Sequence, residues 1–510
     1  MKLIDYFGEI ETDLIPIMKK ITYPLRGQFT NDFITRILNS NIKKIFIVFW
    51  IIILIPLELF AKKHKPNILF ILIDDLGWQD LHCYGSNFYE TPNIDRLRSE
   101  GMMFTNAYSA CPVSSPTRAS ILTGKNPAHL QFTGHITAIG THRFPEYGRI
   151  IPPQDKFYVA LEEVMIPEAL KPLGYATISI GKWHVGDKEK YFPTHQGFDI
   201  NIAGYAQGSP PTYWAPYKNP NLDWNPSIEN FDEGKPGEYL TDRLTDEAIK
   251  FIKEHKEHPF FMYLSHYAVH VPLEASDSLV KKYKDKMVIN NSQKNAIYAA
   301  MIENVDQNVG RLLSELDELG LTNNTIVIFY SDNGGLNEST NNVPLREGKG
   351  FLYEGGIRVP LIVRWPGHVS GGTTCQEPVI SDDLYPTIME IVGKGTKPAK
   401  DIDGLSLVPL LLGNKHLKRN QLCWYYPHYT RQLPGYAIRK GNYKLIEYYD
   451  PVKIELFNLQ EDVGEEHNLA TSNPEKVIEL KESFDCWLNK MNPIRHTPNP
   501  NFQEGYRRNQ

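Results

Sequence analysis

Residues 66–73 read PNILFILI and run directly into Asp74-Asp75. After Asn67 the run is unbroken by polar side chains, which is the pattern of a strand buried on both faces rather than on one. The same arrangement returns three times. Tyr175–Ile180 (YATISI) stops at Gly181-Lys182-Trp183-His184, Pro259–Leu264 (PFFMYL) at Ser265-His266, and Thr325–Tyr330 (TIVIFY) at Ser331-Asp332-Asn333. Helix-like stretches lie between them, at Pro92–Glu100, Pro167–Leu173, Thr241–Lys253 and Asn295–Leu319. Buried strands alternating with helices predict an α/β fold: a large mixed, mainly parallel sheet flanked by helices. In such sheets ligands bind beyond the carboxyl ends of the strands, so the four polar loops are expected to converge on one face.

The character changes after about residue 415. Short aromatic strands, Gln421–Tyr426, Gly435–Arg439 and Asn442–Tyr449, precede a helical Glu475–Asn489. They predict a smaller antiparallel sheet with one covering helix, so residues 62–415 are assigned to a catalytic α/β domain and 416–510 to a C-terminal α+β subdomain ending in a loose tail.

Residues 1–61 are set apart as leader and signal peptide. Ile45–Phe60 is apolar apart from Pro56 and Glu58, follows Lys43-Lys44 and ends at Ala61. That shape, around residues 43–61, predicts export to the periplasm or the medium with cleavage near Ala61; an uncleaved anchor is the alternative. Residues 1–42 make an unusually long leader, as a start codon chosen too far upstream would give.

Of the 510 residues, 54 are Lys or Arg and 60 are Asp or Glu, a net charge of −6, and no long basic run occurs. A nucleic-acid partner is therefore not expected. Cys83, Cys111, Cys375, Cys423 and Cys486 are odd in number and widely spaced, which argues against a disulfide scaffold or a zinc site and leaves one or two bridges open for an exported chain.

Asp74, Asp75 and Asp332 with the Asn333 amide form a hard, all-oxygen donor set. Adjacent carboxylates repel unless a cation lies between them, and this set suits calcium ahead of magnesium or manganese. An Asp-Asp turn or helix cap is the plainer use of that dipeptide. In Ser109–Gly124, SACPVSSPTRASILTG, Pro116 near a first helical turn places Ser114 at a helix N-terminus, where backbone N–H groups favour negative charge, with Arg118 one turn on.

The SxPxR of Ser114–Arg118, followed by ASILTG, resembles the signature of the formylglycine-dependent sulfatases of the alkaline phosphatase superfamily, in their serine-type branch. Family-like stretches recur in order: NILFILIDDLG at 67–77, TPNIDRL at 91–97, GKWHVG at 181–186, SDNGG at 331–335, GKGFLYEGGIRVPLIVRWPG at 348–367, DGLSLVPLL at 403–411, AIRKGNYKLI at 437–446 and ELFNLQEDVGEEHNLA at 455–470. Cys111 is not the equivalent residue, because Val113 stands where the motif requires proline.

The resemblance implies a sulfuric ester hydrolase in which Ser114 is oxidised to formylglycine by a maturation enzyme. One calcium ion would be held by Asp74, Asp75, Asp332, Asn333 and the modified Ser114. It further implies that Arg118 orients the formylglycine, Lys182 and His184 bind its hydrate and the sulfate, and Lys349 is a second sulfate-binding lysine. His270 in VHVP fits the family's remaining histidine, with His266 as the alternative. One hydroxyl of the hydrate would attack sulfur, His270 would protonate the leaving alcohol, and His184 would free the aldehyde again.

A sulfated glycan is the expected substrate, with His428 and Arg431 in or just beyond WYYPH (424–428) as sugar contacts and the loop 204–220 as a second wall; those aromatics equally suit the core of the small subdomain. Two competing functions are weighed: a phosphoesterase of the same superfamily using unmodified Ser114, and a catalytically silent glycan-binding homologue.

Overall fold

A computed structural model describes residues 65–137, 144–286 and 293–504. The signal peptide and the leader expected in residues 1–61 lie outside them. Lys65–Gln510 forms one compact unit.

Eight strands build the main sheet: β1 (Asn67–Ile73), β2 (Met102–Phe104), β3 (Ala176–Gly181), β4 (Ile200–Ile202), β5 (Phe260–Ser265), β6 (Thr325–Ser331), β7 (Leu361–Arg364) and β8 (Thr373–Cys375). Their order is β8-β2-β7-β6-β1-β5-β3-β4. The pairs β6–β1, β1–β5, β5–β3, β3–β4 and β8–β2 are parallel; only β7 runs antiparallel to both its neighbours. The four apolar runs read from the sequence are four adjacent strands of this sheet, β6-β1-β5-β3. Every residue of β1, β5 and β6 is buried, as strands covered on both faces must be.

Helices α1 (Pro92–Glu100), α2 (Ser114–Thr123), α3 (Leu240–His255) and α4 (Ala296–Glu318) flank the sheet. The predicted helix over 167–173 is a short α-turn, Ile166–Leu170, continued by a 3₁₀ turn. No helix among the described residues is long and apolar enough to cross a membrane.

Beyond the turn Val408–Leu411 the chain enters a second sheet. That sheet is an antiparallel meander of β9 (Leu422–Tyr426), β10 (Gly435–Lys440), β11 (Tyr443–Tyr449) and β12 (Val452–Asn458), covered on one face by α5 (Pro474–Met491). Its other face joins Tyr108, Leu352, Tyr353 and Ile357 of the larger part in one apolar cluster. Deep in that seam the Lys444 ammonium lies 2.9 Å from both Glu354 and Glu465, all three fully buried. Two carboxylates share one cation there: burial pushes Glu465 up to about 7, while at Glu354 burial is outweighed by Lys444 together with Arg358 and Arg439, which hold it at about 2.

The tail is not loose as far as residue 504. Thr497-Pro498 pairs with Ile150-Ile151, and the Asn499 amide donates to Glu146 O and Gly148 O at 2.8 and 2.7 Å. All five cysteines are unpaired.

Candidate active site

The carboxyl ends of β1, β3, β5 and β6 are stitched together by backbone hydrogen bonds: Asp74 N to Ala268 O, Val269 N to Asp74 O, Lys182 N to Ser265 O and Asp332 N to Ile73 O, at 2.8–3.3 Å. This brings the four polar loops to one place. Asp74, Asp75 and Asp332 each present an oxygen within 4.8 Å of the others, and all are buried.

Ser114 is the first residue of α2, a helix buried along its whole length. Its N-cap, Val113, has no side chain able to satisfy the helix start, so those N–H groups and the helix dipole are available to a negative group. Ser114 Oγ lies 3.2 Å from Asp74 Oδ1 and 3.3 Å from Asn333 Oδ1, and accepts a hydrogen bond from Lys182 Nζ at 3.1 Å. One turn further on, Arg118 donates through Nε to Asp332 Oδ2 at 2.8 Å and through Nη1 to Lys182 O and Ser265 Oγ, while its Nη2 lies 2.7 Å from the same Asp332 oxygen in an ion pair. The i, i+4 spacing thus puts the hydroxyl and the guanidinium on one helix face.

Three cations answer the three carboxylates. Lys182 Nζ donates to both oxygens of Asp74 at 2.9 and 2.7 Å, Arg118 grips Asp332, and Lys349 Nζ lies 2.7 and 2.8 Å from the two oxygens of Asp75. Burial would raise all three carboxyls. It wins at Asp74, pushed up to about 7, whereas Lys349 with His270 overcomes it at Asp75 and Arg118 with Lys182 at Asp332, both held below the usual carboxylate range. Burial lowers Lys182 to about 8 despite Asp74.

Ser114, Lys182, His184, His270 and Lys349 line one cavity of about 370 Å³, a size suited to a small ligand. His270 Nδ1 donates to Val271 O at 2.8 Å, which leaves Nε2 toward Asp75, 3.6 Å away; burial and then Lys349 push the ring down to about 3. His184 Nε2 is 3.3 Å from Ile136 O, and burial with Lys182 and Arg118 keeps the imidazole neutral. His266 does not line the cavity. It is buried, and neither ring nitrogen has a partner among the described residues.

The two expected sugar contacts separate. Arg431 lines the cavity. His428 does not: it is fully buried, 2.8 Å from Thr133 Oγ1 and 3.2 Å from Asp155 Oδ2, so it braces the fold. Trp424 and Tyr426 are core as well, Trp424 packing edge-on against Tyr108 at 5.4 Å. In the loop 204–220 the tyrosines Tyr205, Tyr213 and Tyr217 are buried and only Gln207-Gly208-Ser209 reaches the cavity. Trp224 and His135 also line it; neither lies in a recurrent motif, and no feature of the sequence marks them.

Comparison with known proteins decides the family. Residues 66–394 match the family model described as Sulfatase, and residues 348–491 match N-sulphoglucosamine sulphohydrolase, C-terminal. The chain belongs to the sulfatase family. It is 34% identical over 499 residues to a sulfatase of Formosa agariphila, covering 84% of this chain and 89% of that one. It is also 35% identical over 373 residues to human N-acetylgalactosamine-6-sulfatase, covering 69% and 67%. Among solved structures it resembles Ps i-CgsB in complex with k-i-k-neocarrahexaose, with a TM-score of 0.70 and 31% identity over 83% of this chain and 93% of that one. The sulfatase is accordingly a sulfuric ester hydrolase with an alkaline-phosphatase-like fold, and its buried carboxylate triad is a site able to hold a metal ion.

Proposed function

We propose that this sulfatase removes sulfate from a sulfated carbohydrate, using a formylglycine made from Ser114 by a maturation enzyme and one calcium ion. The observation that carries the reading is the position of Ser114 Oγ, within 3.3 Å of Asp74, Asn333 and Lys182 at the N-terminus of a buried helix. The donor set fits a hard divalent cation: three carboxylates and an amide, with no histidine or cysteine in the group. That composition disfavours a phosphoesterase site built on transition metals with His ligands. Asp74, Asp75, Asp332 and Asn333 would hold the ion, with the modified Ser114 beside them.

When bound, calcium neutralises the carboxylates and polarises an oxygen of the ester, and the hydrated aldehyde supplies a nucleophile stronger than a serine hydroxyl. The rest is done by this chain's own side chains. Arg118 fixes Asp332 and so the floor of the site. Lys182 and Lys349 screen the negative charge that keeps nucleophiles from a sulfate ester. His270 is placed to protonate the departing alcohol oxygen; an anionic ester beside Nε2 favours its charged form. His184, neutral and next to Lys182, is placed to take a proton from the Ser114 side.

A carbohydrate substrate is supported by the human relative, an N-acetylgalactosamine-6-sulfatase, and by Ps i-CgsB, solved with a neocarrahexaose. Export, proposed from the signal-like residues 43–61 alone, would place the enzyme where such polymers are met. The test is sulfate release from a panel of defined sulfated saccharides by the mature, calcium-loaded enzyme. Release from at least one is expected; release from none, with phosphate released from phosphate esters instead, overturns the reading.

A further inference from the structure

Two side chains of the cavity, Trp224 and Arg431, make no hydrogen bond or ion pair with the triad or its cations. Trp224 is 46% exposed, although its backbone is tightly held. Gln207 Nε2 donates to Trp224 O at 3.0 Å. The next residue, Asn225, is buried, accepts from Tyr205 OH and donates to Ser209 O, both at 2.8 Å. A loop with this much internal bonding does not need the indole for its own packing. It holds a large aromatic ring at the cavity's edge, where a sugar ring can stack on its face.

Arg431 is positioned just as specifically. Gly350, beside Lys349, has φ +87, and a Cβ there would come within 2.9 Å of Arg431 Cδ and 3.0 Å of its Cβ, so the arginine stem lies flat on the glycine backbone. Its guanidinium is 2.6 Å from Glu338 Oε1, with the two side chains 41% and 63% exposed. An ion pair in that much water is weak, and a ligand anion of the right shape can take the fork from Glu338.

We propose that Trp224 and Arg431 form a subsite for an anionic saccharide: the indole stacks on a sugar ring, and the guanidinium binds a second anion, a carboxylate or another sulfate, carried by the same saccharide. This rests on the cavity being the place of sulfate ester hydrolysis. The neighbouring Lys349 takes the scissile sulfate, so Arg431 makes the enzyme select substrates with two closely placed negative groups.

The test compares kcat/KM on a small aryl sulfate with kcat/KM on three saccharides alike except for their second anion: none, a uronate carboxylate, or a second sulfate. For Trp224→Ala, kcat/KM on all three saccharides is expected to fall at least about tenfold further than on the aryl sulfate, with Trp224→Phe restoring much of it. For Arg431→Gln, the preference for the doubly anionic saccharide is expected to shrink by about tenfold through KM, and the arm that loses it identifies the anion; Glu338→Gln should strengthen that preference. Equal losses on aryl sulfate and saccharides, or a preference that survives Arg431→Gln, overturn the proposal. Should the parent enzyme hydrolyse no ester at all, the functional reading fails instead. Calorimetric binding of the same saccharides then decides the subsite: weaker binding by Trp224→Ala supports it, and equal affinity overturns it.

Discussion

The Lys349 ammonium sits 2.7 Å from Asp75 Oδ1 and 2.8 Å from Oδ2, and Lys182 holds Asp74 in the same two-oxygen manner. Each lysine therefore belongs at once to the carboxylate cage and to the cavity wall. Replacing Lys349 with Met removes a charge aimed at the reacting sulfate. A loss of about 10²–10³ in kcat is expected, with a lower melting temperature as well, because Asp75 loses the cation that offsets its burial. Steady-state kinetics on an aryl sulfate measure it, and a loss under about tenfold would show that Lys349 serves only the fold.

Metal removal follows from the triad. Three carboxylates with oxygens inside 4.8 Å repel one another, and a divalent ion relieves that repulsion. Exhaustive chelation should abolish turnover and lower the melting temperature, and calcium should restore both, since an ion that binds only the folded state stabilises it. Full activity after chelation, checked by elemental analysis of the protein, contradicts this.

The loop carrying Asp332 and Asn333 depends on a close approach. A Cβ on Gly334 would lie 1.8 Å from the Gly355 carbonyl oxygen, against backbone that cannot swing away. Gly334→Ala should cost about 1–3 kcal/mol or more of stability and reduce kcat/KM together, because the displaced loop carries two proposed ligands. Chemical denaturation and kinetics on the same preparation test it; an unaltered midpoint would mean that Gly355 shifts freely.

A pH effect is expected far from the site. Asp306 caps α1 by accepting from Ile94 N at 2.8 Å and from Asn93 Nδ2 at 2.7 Å, and burial pushes its carboxyl up to about 6. A carboxyl with a raised folded value binds protons better folded than unfolded. Its contribution is therefore greatest below about pH 4 and is lost as pH rises to about 6. Relative to Asp306→Asn, the wild type should be favoured more in urea melts at about pH 4.5 than at about pH 6.5. A gap that does not vary with pH rules this out.

Much of the architecture was legible because four adjacent strands, β6-β1-β5-β3, are buried on both faces and so appear as continuous apolar runs, each ended by the residues that do chemistry. Their observed limits differ from the expected ones by a residue at most. The edges were not legible. Met102–Phe104 and Thr373–Cys375 are three residues each, too short for any period to show, and Val452–Asn458 opens with exposed residues, so half of it looks like loop. In the site, Ser114 and Arg118 share a helix face and could be read from spacing. Which of His266 and His270 enters the cavity depends on how the chain turns after β5, which spacing does not express. His428 was misread because an aromatic-rich run looks the same whether it stacks on sugar or fills a core; Trp224 was passed over because it lies in an irregular loop with no repeat or motif around it.

The central claim is that the nucleophile is an oxidised Ser114. Intact and peptide mass spectrometry of enzyme made with a formylglycine-generating partner measures it directly. The peptide carrying Ser114 is expected to have lost two hydrogens, or gained a water beyond that, in proportion to activity, and Ser114→Ala is expected to release no sulfate. An active enzyme whose Ser114 is unmodified, or a Ser114→Ala form that still turns over, would contradict it.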